Sequence, residues 1–270
     1  MKLALLVLAK NEIDIIKYKL AWHKPKVDFI IVTDNGSTDG TLEFLRSQVS
    51  DNFILLERPQ VTSEFSNYYN EMVLLAKEKG ANWIIPSDVD EFLVGDLREE
   101  TKKATSLNKN VVIVNIFKTF TSTYLDDIAE QNPVAQMTWH YPASRKVQKV
   151  LCLLDNDFGW LANGNHEARY RRHYEALVLN IELFHFIYRG YEHFKRKIIA
   201  RATLVLSKPS IRRTRAVYER KLFEQYQTKG EEVFRKEWER LSADNEARLK
   251  ELNLQQNLIL YNYFKNNVIC

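Results

Sequence analysis

At 270 residues, 45% hydrophobic and 27% charged, with eight glycines and six prolines, the chain can build one sizeable core and is neither fibrous nor disordered in composition. A net charge of +4 selects no partner class by itself, so its distribution matters more than its sum. Two cysteines, Cys152 and Cys270, make no disulfide framework and no zinc pattern, which points to a reducing, cytoplasmic setting.

Met1-Lys2 ahead of the apolar run Leu3 to Ala9 has the outline of a signal peptide. The run is short and no small-residue cleavage pattern follows, so a buried first strand is the better reading. No apolar run approaches the length of a membrane span.

The chain then alternates. Leu3 to Ala9 reads as a strand buried on both faces, and Lys10-Asn11-Glu12 breaks it. Ile13, Ile16 and Leu20 recur at helical spacing, and Phe29 to Val32 is a second buried strand. The polar loop Thr33 to Thr41 leads into a helix through Leu42, Phe44 and Leu45, with Asp39 or Thr41 expected as its N-cap. Phe53 to Leu56 is a short strand. Ser66 to Lys79 is a helix with Tyr69, Met72, Val73 and Ala76 on one face, and Gly80 is its stop signal. A strand from Trp83 then runs into Ser87-Asp88-Val89-Asp90-Glu91.

Beyond Glu91 the pattern loosens. Val111 to Phe117 and Val147 to Leu154 read as strands, Lys118 to Trp139 as a mixed segment, and Asp155 to His166 as a loop. Leu177 to Phe186 reads as a last strand carrying His185, and Tyr191 to Leu206 as a helix ended by Pro209. From Ile211 to Phe264 the chain is charged and helix-friendly, with Phe223, Tyr226, Phe234, Trp238, Leu241 and Leu249 as apolar anchors. The expected organisation is an α/β domain over residues 1–206, with a mostly parallel, Rossmann-like sheet flanked by helices. A C-terminal helical extension covers 207–270.

Ligands of such sheets bind beyond the carboxyl ends of the strands. Lys10 to Glu12, Asp34 to Thr41 and Asp88 to Glu91 all fall there. Asp88, Asp90 and Glu91 put three carboxylates into four positions, which repel one another unless a cation sits among them. A hard, oxygen-seeking ion such as Mn²⁺ or Mg²⁺ suits that donor set, with substrate phosphates completing its shell. An acidic loop that merely caps a helix is the plainer alternative.

Lys10-Asn11-Glu12, the loop Thr33-Asp34-Asn35-Gly36-Ser37-Thr38-Asp39-Gly40-Thr41 and the stretch Trp83 to Leu93 with its Asp-x-Asp-Glu-Phe sequence resemble the family-2-like glycosyltransferases of the GT-A fold. The resemblance covers residues 1 to 95 firmly and thins toward 200. It implies a nucleotide-sugar donor, UDP-linked by preference. Asn11, Glu12, Asp34 and Asn35 would hold the nucleoside, Asp88 and Asp90 the ribose and metal-diphosphate, and His185 would complete the metal shell. A hydrogen-bonded core histidine is the alternative for His185. Many members carry two aspartates where this chain has Asp34-Asn35, which leaves the base preference open.

An inverting transfer needs a proton acceptor for the acceptor's hydroxyl. In the region where relatives place it, Glu167 is the first candidate and His166 the second, with Asp157 or Asp127 behind them. A surface ion pair between Glu167 and one of Arg169, Arg171 or Arg172 is the alternative. Arg189 to Lys221 holds eleven basic against two acidic residues, a net of +9. It reads as a solvated helical face, or as a contact with anionic lipid at the inner membrane face or with a lipid-diphosphate acceptor. No nucleic-acid recognition motif accompanies it.

The expected activity is therefore metal-dependent, inverting transfer of a sugar to a glycan or lipid-linked acceptor in surface polysaccharide synthesis. Two alternatives are a nucleotide-sugar-binding or nucleotidyl-transfer domain and a non-catalytic basic interaction protein. Nucleotidyltransferases open with a glycine-rich loop after the first strand, and Lys10-Asn11-Glu12 has no glycine.

Overall fold

The computed structural model describes residues 1–59, 65–122, 132–145, 148–162, 165–207, 217–243 and 246–266. In chain order the first elements are β1 (Leu3–Ala9), α1 (Ile13–His23), β2 (Phe29–Asp34), α2 (Thr41–Ser47), β3 (Phe53–Glu57), α3 (Phe65–Glu78), β4 (Trp83–Asp88), β5 (Glu91–Val94), α4 (Leu97–Ser106), β6 (Val111–Val114) and β7 (Ile116–Thr121). Next come α5 (Pro133–Gln136), β8 (Trp139–His140), β9 (Lys149–Leu153), β10 (Phe158–Leu161), β11 (Ala168–Tyr170), β12 (Ala176–Val178) and β13 (Glu182–His185). The chain continues through α6 (Tyr191–Leu206), α7 (Val217–Lys229), α8 (Glu232–Leu241), α9 (Glu246–Glu251), β14 (Gln255–Gln256) and α10 (Ile259–Asn266). Packing groups the described residues into two units, one from 1–118 and 143–185, the other from 119–142 and from 186 onward.

The first unit is built on a seven-stranded sheet in the order β12-β6-β9-β4-β1-β2-β3. Every pair is parallel except those made by β9, which runs antiparallel between β4 and β6. Strand β1 sits centrally, and Leu3 to Val7 are fully buried, as their unbroken apolar run requires of a strand covered on both faces. Each of its leucine and valine side chains contributes about 1.5–3 kcal/mol by leaving water. Helix α3 lays Tyr69, Met72, Val73 and Ala76 against Ala4, Leu6, Ile31, Ile84 and Val150. It ends where expected. Gly80 takes φ 74°, donates to the Lys77 carbonyl, and lets Ala81 N–H reach Ala76 O at 2.9 Å.

The second unit is mainly helical. Tyr191, Phe194 and Ile198 of α6 bury with Leu222 of α7 and with Phe234 and Trp238 of α8. Tyr226 stacks on Phe234 with ring centroids 4.5 Å apart. The mixed α/β class, the mostly parallel sheet and the helical C-terminal region all match the expectation from the sequence.

Local boundaries differ. Gly40, at φ 95°, is the N-cap of α2 rather than Asp39 or Thr41. The apolar stretch Val111 to Phe117 is two strands, β6 and β7, divided at Asn115. Leu177 to Phe186 also divides, into β12 and β13. A continuous apolar run carries no signal for where its partners change. The segment after Asp155 contains β10, which pairs with β11 across Trp160 and Arg169. Strand β5 was hidden in the acidic stretch, and it pairs antiparallel with β13 so that His185 stands opposite Glu91.

Candidate active site

Parallel register aligns the strand ends. Leu8 pairs with Asp88 and Ala9 with Asp34, so β1, β2 and β4 finish level and their polar tails share one edge. Two of those tails are stapled together. Asn11, at φ 55°, accepts from Thr38 N–H at 2.7 Å and donates its own N–H to Ser37 Oγ at 2.9 Å. Glu12 N–H donates to Thr41 Oγ1 at 2.9 Å, and Ile13 N–H to Asp39 Oδ2 at 3.2 Å. Asn35 is tied to β1 through its N–H on Ala9 O at 2.8 Å.

Asp34 closes this loop on itself. Its Oδ1 accepts from Gly36 N–H at 3.0 Å and Ser37 N–H at 2.9 Å. Gly36 has φ 75°, and a Cβ there would lie 3.2 Å from Pro59 O. Asp34 itself is 1% exposed, and its other oxygen, Oδ2, is buried with no hydrogen-bond partner among the described residues. An acceptor left bare in this way carries a desolvation cost that a ligand's donor relieves.

The acidic turn is held by two lysines and a tyrosine. Lys149 Nζ, at the head of β9, lies 3.0 Å from Asp88 Oδ2 and 3.0 Å from Glu91 Oε1. Asp88 Oδ1 accepts from the Tyr69 hydroxyl at 2.9 Å, and Glu91 Oε2 accepts from Asp88 N–H at 3.1 Å. Lys149 and Glu91 are buried, whereas the Asp88 side chain stays 44% exposed. Burial works to raise the Asp88 carboxyl, but the Lys149 ammonium and two hydrogen bonds outweigh it and hold the group below the usual carboxylate range. Burial works against the Lys149 charge too, and Asp88 and Glu91 overcome it, raising that ammonium above its ordinary value.

Lys19, fully buried on α1, donates to Ser87 Oγ at 2.6 Å and to the Glu91 carbonyl. Burial brings its pKa down to about 7, although Glu91, Asp88 and Asp90 all favour the charged form. His23 lies one turn on, Nδ1 on Lys19 O at 2.9 Å, and accepts from Leu93 N–H at 3.3 Å. Burial, then the Lys19 charge, push it well below the ordinary imidazole value.

Asp90, 5% exposed, faces His185, with Oδ2 to Nε2 at 3.6 Å. Asp90 and His185 together fit the seat of a Mg²⁺ or Mn²⁺ ion, which takes one or two protein ligands and fills its shell with water and phosphate oxygens. Asp88 fits less well, since both its oxygens are engaged. Among the described residues no group of three or more His, Cys, Asp or Glu side chains is set to hold a metal ion.

Two of the proton-acceptor candidates, His166 and Glu167, line a cleft of about 730 Å³ together with Gln148, Ala168, Arg169, Tyr170 and Tyr174. Glu167 pairs with Arg169 at 3.0 Å on the surface, and Asp157 stands 4.0 Å from Arg172. His166 Nδ1 lies 2.5 Å from Gln148 O, an arrangement that fixes the proton on Nδ1 and leaves Nε2 as the acceptor nitrogen. Asn165, at φ 56°, is fully buried with its amide beside the Tyr69 phenol, so the segment carrying His166 abuts the one around Asp88. Asp126 and Asp127 lie outside the described residues.

Part of the basic segment is paired within the helical unit. Lys195 meets Glu231 at 2.8 Å, Arg201 meets Glu219 at 3.0 Å and Arg220 meets Glu224 at 3.6 Å. Lys208, Arg212, Arg213 and Arg215 lie outside the described residues. No helix among the described residues is long and apolar enough to cross a membrane.

Sequence reasoning missed Lys149, Lys19 and the hydroxyl role of Tyr69. A signal existed for the lysines. Lys19 falls on the buried stripe of α1 with Ile15, Ile16 and Leu20, and Lys149 opens an otherwise apolar strand.

The family described as Glycosyl transferase family 2 matches residues 7–226. No curated protein matches the chain. Among solved structures, S. aureus TarS is 13% identical over 77% of this chain and 40% of that one, with a TM-score of 0.43. TarS 1-349 in complex with UDP is 14% identical over 77% of this chain and 67% of that one, TM-score 0.43. HddC from Yersinia pseudotuberculosis is 11% identical over 73% of this chain and 97% of that one, TM-score 0.39. The chain thus spans under half the length of full TarS.

Proposed function

The chain belongs to glycosyl transferase family 2, and on that premise we propose that it moves one sugar, with inversion and divalent-metal assistance, from a nucleotide-sugar to a glycan or lipid-linked acceptor in surface polysaccharide synthesis. The observation that carries the reading is Asp34 Oδ2, a buried carboxylate oxygen with no partner among the described residues, level with Asp88 across β1.

That oxygen suits a base bearing a ring N–H, and uracil is the first to test. Asn35, next in the chain and anchored to β1, offers donor and acceptor beside it. Asp88, half-exposed and ionised by Lys149, is an acceptor for the ribose or a diphosphate-bound water. Asp90 and His185 would hold Mn²⁺ or Mg²⁺, which supplies charge neutralisation to a leaving diphosphate. His166 lines the cleft with its Nδ1 held by Gln148 O, which leaves Nε2 to take the acceptor hydroxyl's proton, while Glu167, engaged by Arg169, is the weaker candidate. The acceptor's position at the inner membrane face rests on the net charge of the basic segment Arg189 to Lys221 in the sequence.

The test is release of nucleoside diphosphate from UDP-, GDP- and dTDP-sugars with and without Mn²⁺. Metal-stimulated release from one of them is expected. Pyrophosphate as the product would move the assignment to nucleotidyl transfer, and no release from any donor would reject a transferase that uses these nucleotides.

A further inference from the structure

Gln148 holds His166 at two points. Its side-chain Nε2 donates to the His166 carbonyl at 3.0 Å, and its own carbonyl lies 2.5 Å from His166 Nδ1. A carbonyl oxygen can only accept, so the ring carries its proton on Nδ1, and in the neutral form Nε2 is then an acceptor. Both residues line the cleft, and their chain neighbours lead to Asp88. Lys149 Nζ lies 3.0 Å from Asp88 Oδ2. Asn165, fully buried, sets its amide beside the Tyr69 phenol, which donates to Asp88 Oδ1 at 2.9 Å. The dipeptides Gln148-Lys149 and Asn165-His166 thus each give one residue to the cleft and turn the other toward Asp88.

We propose that Gln148 is a positioning residue that fixes the His166 proton on Nδ1, with Lys149 and Asn165 anchoring the pair beside Asp88. The use of that tautomer in sugar transfer rests on the transferase reading; the clamp itself rests on the geometry. The tautomer decides what His166 can do. With the proton on Nδ1, Nε2 takes the proton of an incoming hydroxyl as its oxygen bonds to the anomeric carbon. The bond from that carbon to the diphosphate breaks, and its electron pair leaves with the nucleoside diphosphate. With the proton on Nε2, the same nitrogen is a donor and cannot accept, while Nδ1 would set a lone pair against the Gln148 carbonyl. The Gln148 side chain keeps the His166 main chain where its ring meets that carbonyl. Without the side-chain donor, the ring is free to leave the carbonyl and take the other tautomer.

The experiment is long-range proton–nitrogen NMR of isotope-labelled histidine rings above pH 8, where an ordinary imidazole is neutral. Thermal melts and hydrolysis of UDP-, GDP- and dTDP-sugars are run on the same preparations. The His166 signals are assigned by their loss in His166→Ala. The other proteins are wild type, Gln148→Ala and Gln148→Glu, whose carboxylate matches glutamine in length but cannot donate. Wild type should show the proton on Nδ1. Both variants should melt cooperatively and shift toward the Nε2-protonated form, by about 3- to 10-fold in tautomer ratio. In the donor that wild type hydrolyses, kcat should fall by a similar factor with KM unchanged, a split that a merely structural glutamine would not produce. A wild-type ring protonated on Nε2 overturns the proposal. So does a folded variant that keeps the wild-type tautomer ratio, one that changes the ratio but keeps kcat, or loss of the cooperative melt in both variants. A tautomer shift without nucleoside diphosphate release by wild type sinks the transferase reading alone and leaves the clamp standing.

Discussion

His185 Nε2 lies 3.6 Å from Asp90 Oδ2, carried there by the antiparallel pairing of β13 with β5. The pair sits beside an acidic turn whose other two carboxylates are already neutralised. On the transferase reading it is the seat proposed for Mn²⁺ or Mg²⁺. Asp90→Asn removes a formal charge at that seat and should abolish Mn²⁺-dependent UDP binding while leaving the melting temperature near that of wild type. His185→Ala should weaken Mn²⁺ binding by roughly 10- to 100-fold. A drop in melting temperature with Mn²⁺ affinity intact would assign His185 to the core instead.

Asp34→Asn tests the nucleoside site. The amide can keep its oxygen on Gly36 and Ser37 N–H while placing a donor where the bare Oδ2 now lies. A hydrogen bond to a charged group is worth about 1.5–3 kcal/mol, so UDP affinity should fall by about 10- to 100-fold with the fold retained. Equal UDP affinity in variant and wild type, measured calorimetrically, would exclude Asp34 as a nucleoside contact.

The proton acceptor is separated by two substitutions. His166→Ala should lower transfer by roughly 10²–10⁴-fold with donor binding unchanged, whereas Glu167→Gln should cost less because Arg169 already engages that carboxylate. The opposite ranking in a transfer assay returns the role to Glu167. Full activity in both variants removes the cleft from the mechanism.

Lys19 predicts a pH dependence with a defined sign. Its folded pKa is about 7, against an unfolded value near 10.5. Below pH 7 both states carry the proton, and the cost of burying that charge is fully present. Between pH 7 and about 10.5 the unfolded chain holds a proton that the folded chain has released, so stability rises with pH. Relative to Lys19→Met, wild type should gain up to about 5 kcal/mol across that window, compared by urea melts at successive pH values. A difference that stays flat from pH 6 to pH 10 would show that Lys19 titrates normally.

How much of this was legible follows the range of each interaction. The strand–helix alternation through residue 88, the stop at Gly80 and the polar segments at the carboxyl edge came from local periodicity and turn chemistry, which the sequence carries within a few residues. The acidic turn was visible as three carboxylates in need of a cation. The identity of the near cation was not, because nothing at residue 149 records that antiparallel β9 lies against β4. The split of Val111 to Phe117 was hidden for the same reason, since an apolar run looks alike whichever strands it pairs with.

By itself, then, the sequence determined the α/β class, the order of the elements as far as β4 and the residue types available at the sheet edge. The tertiary structure alone decided how those residues share charge. Lys149 went to Asp88 and Glu91, His185 to Asp90, and Glu167 to its neighbour Arg169. Hydrophobic periodicity acts through the nearest turns of the chain. Ion pairing at 3 Å depends on strand register between distant segments, which becomes definite only when the sheet is assembled.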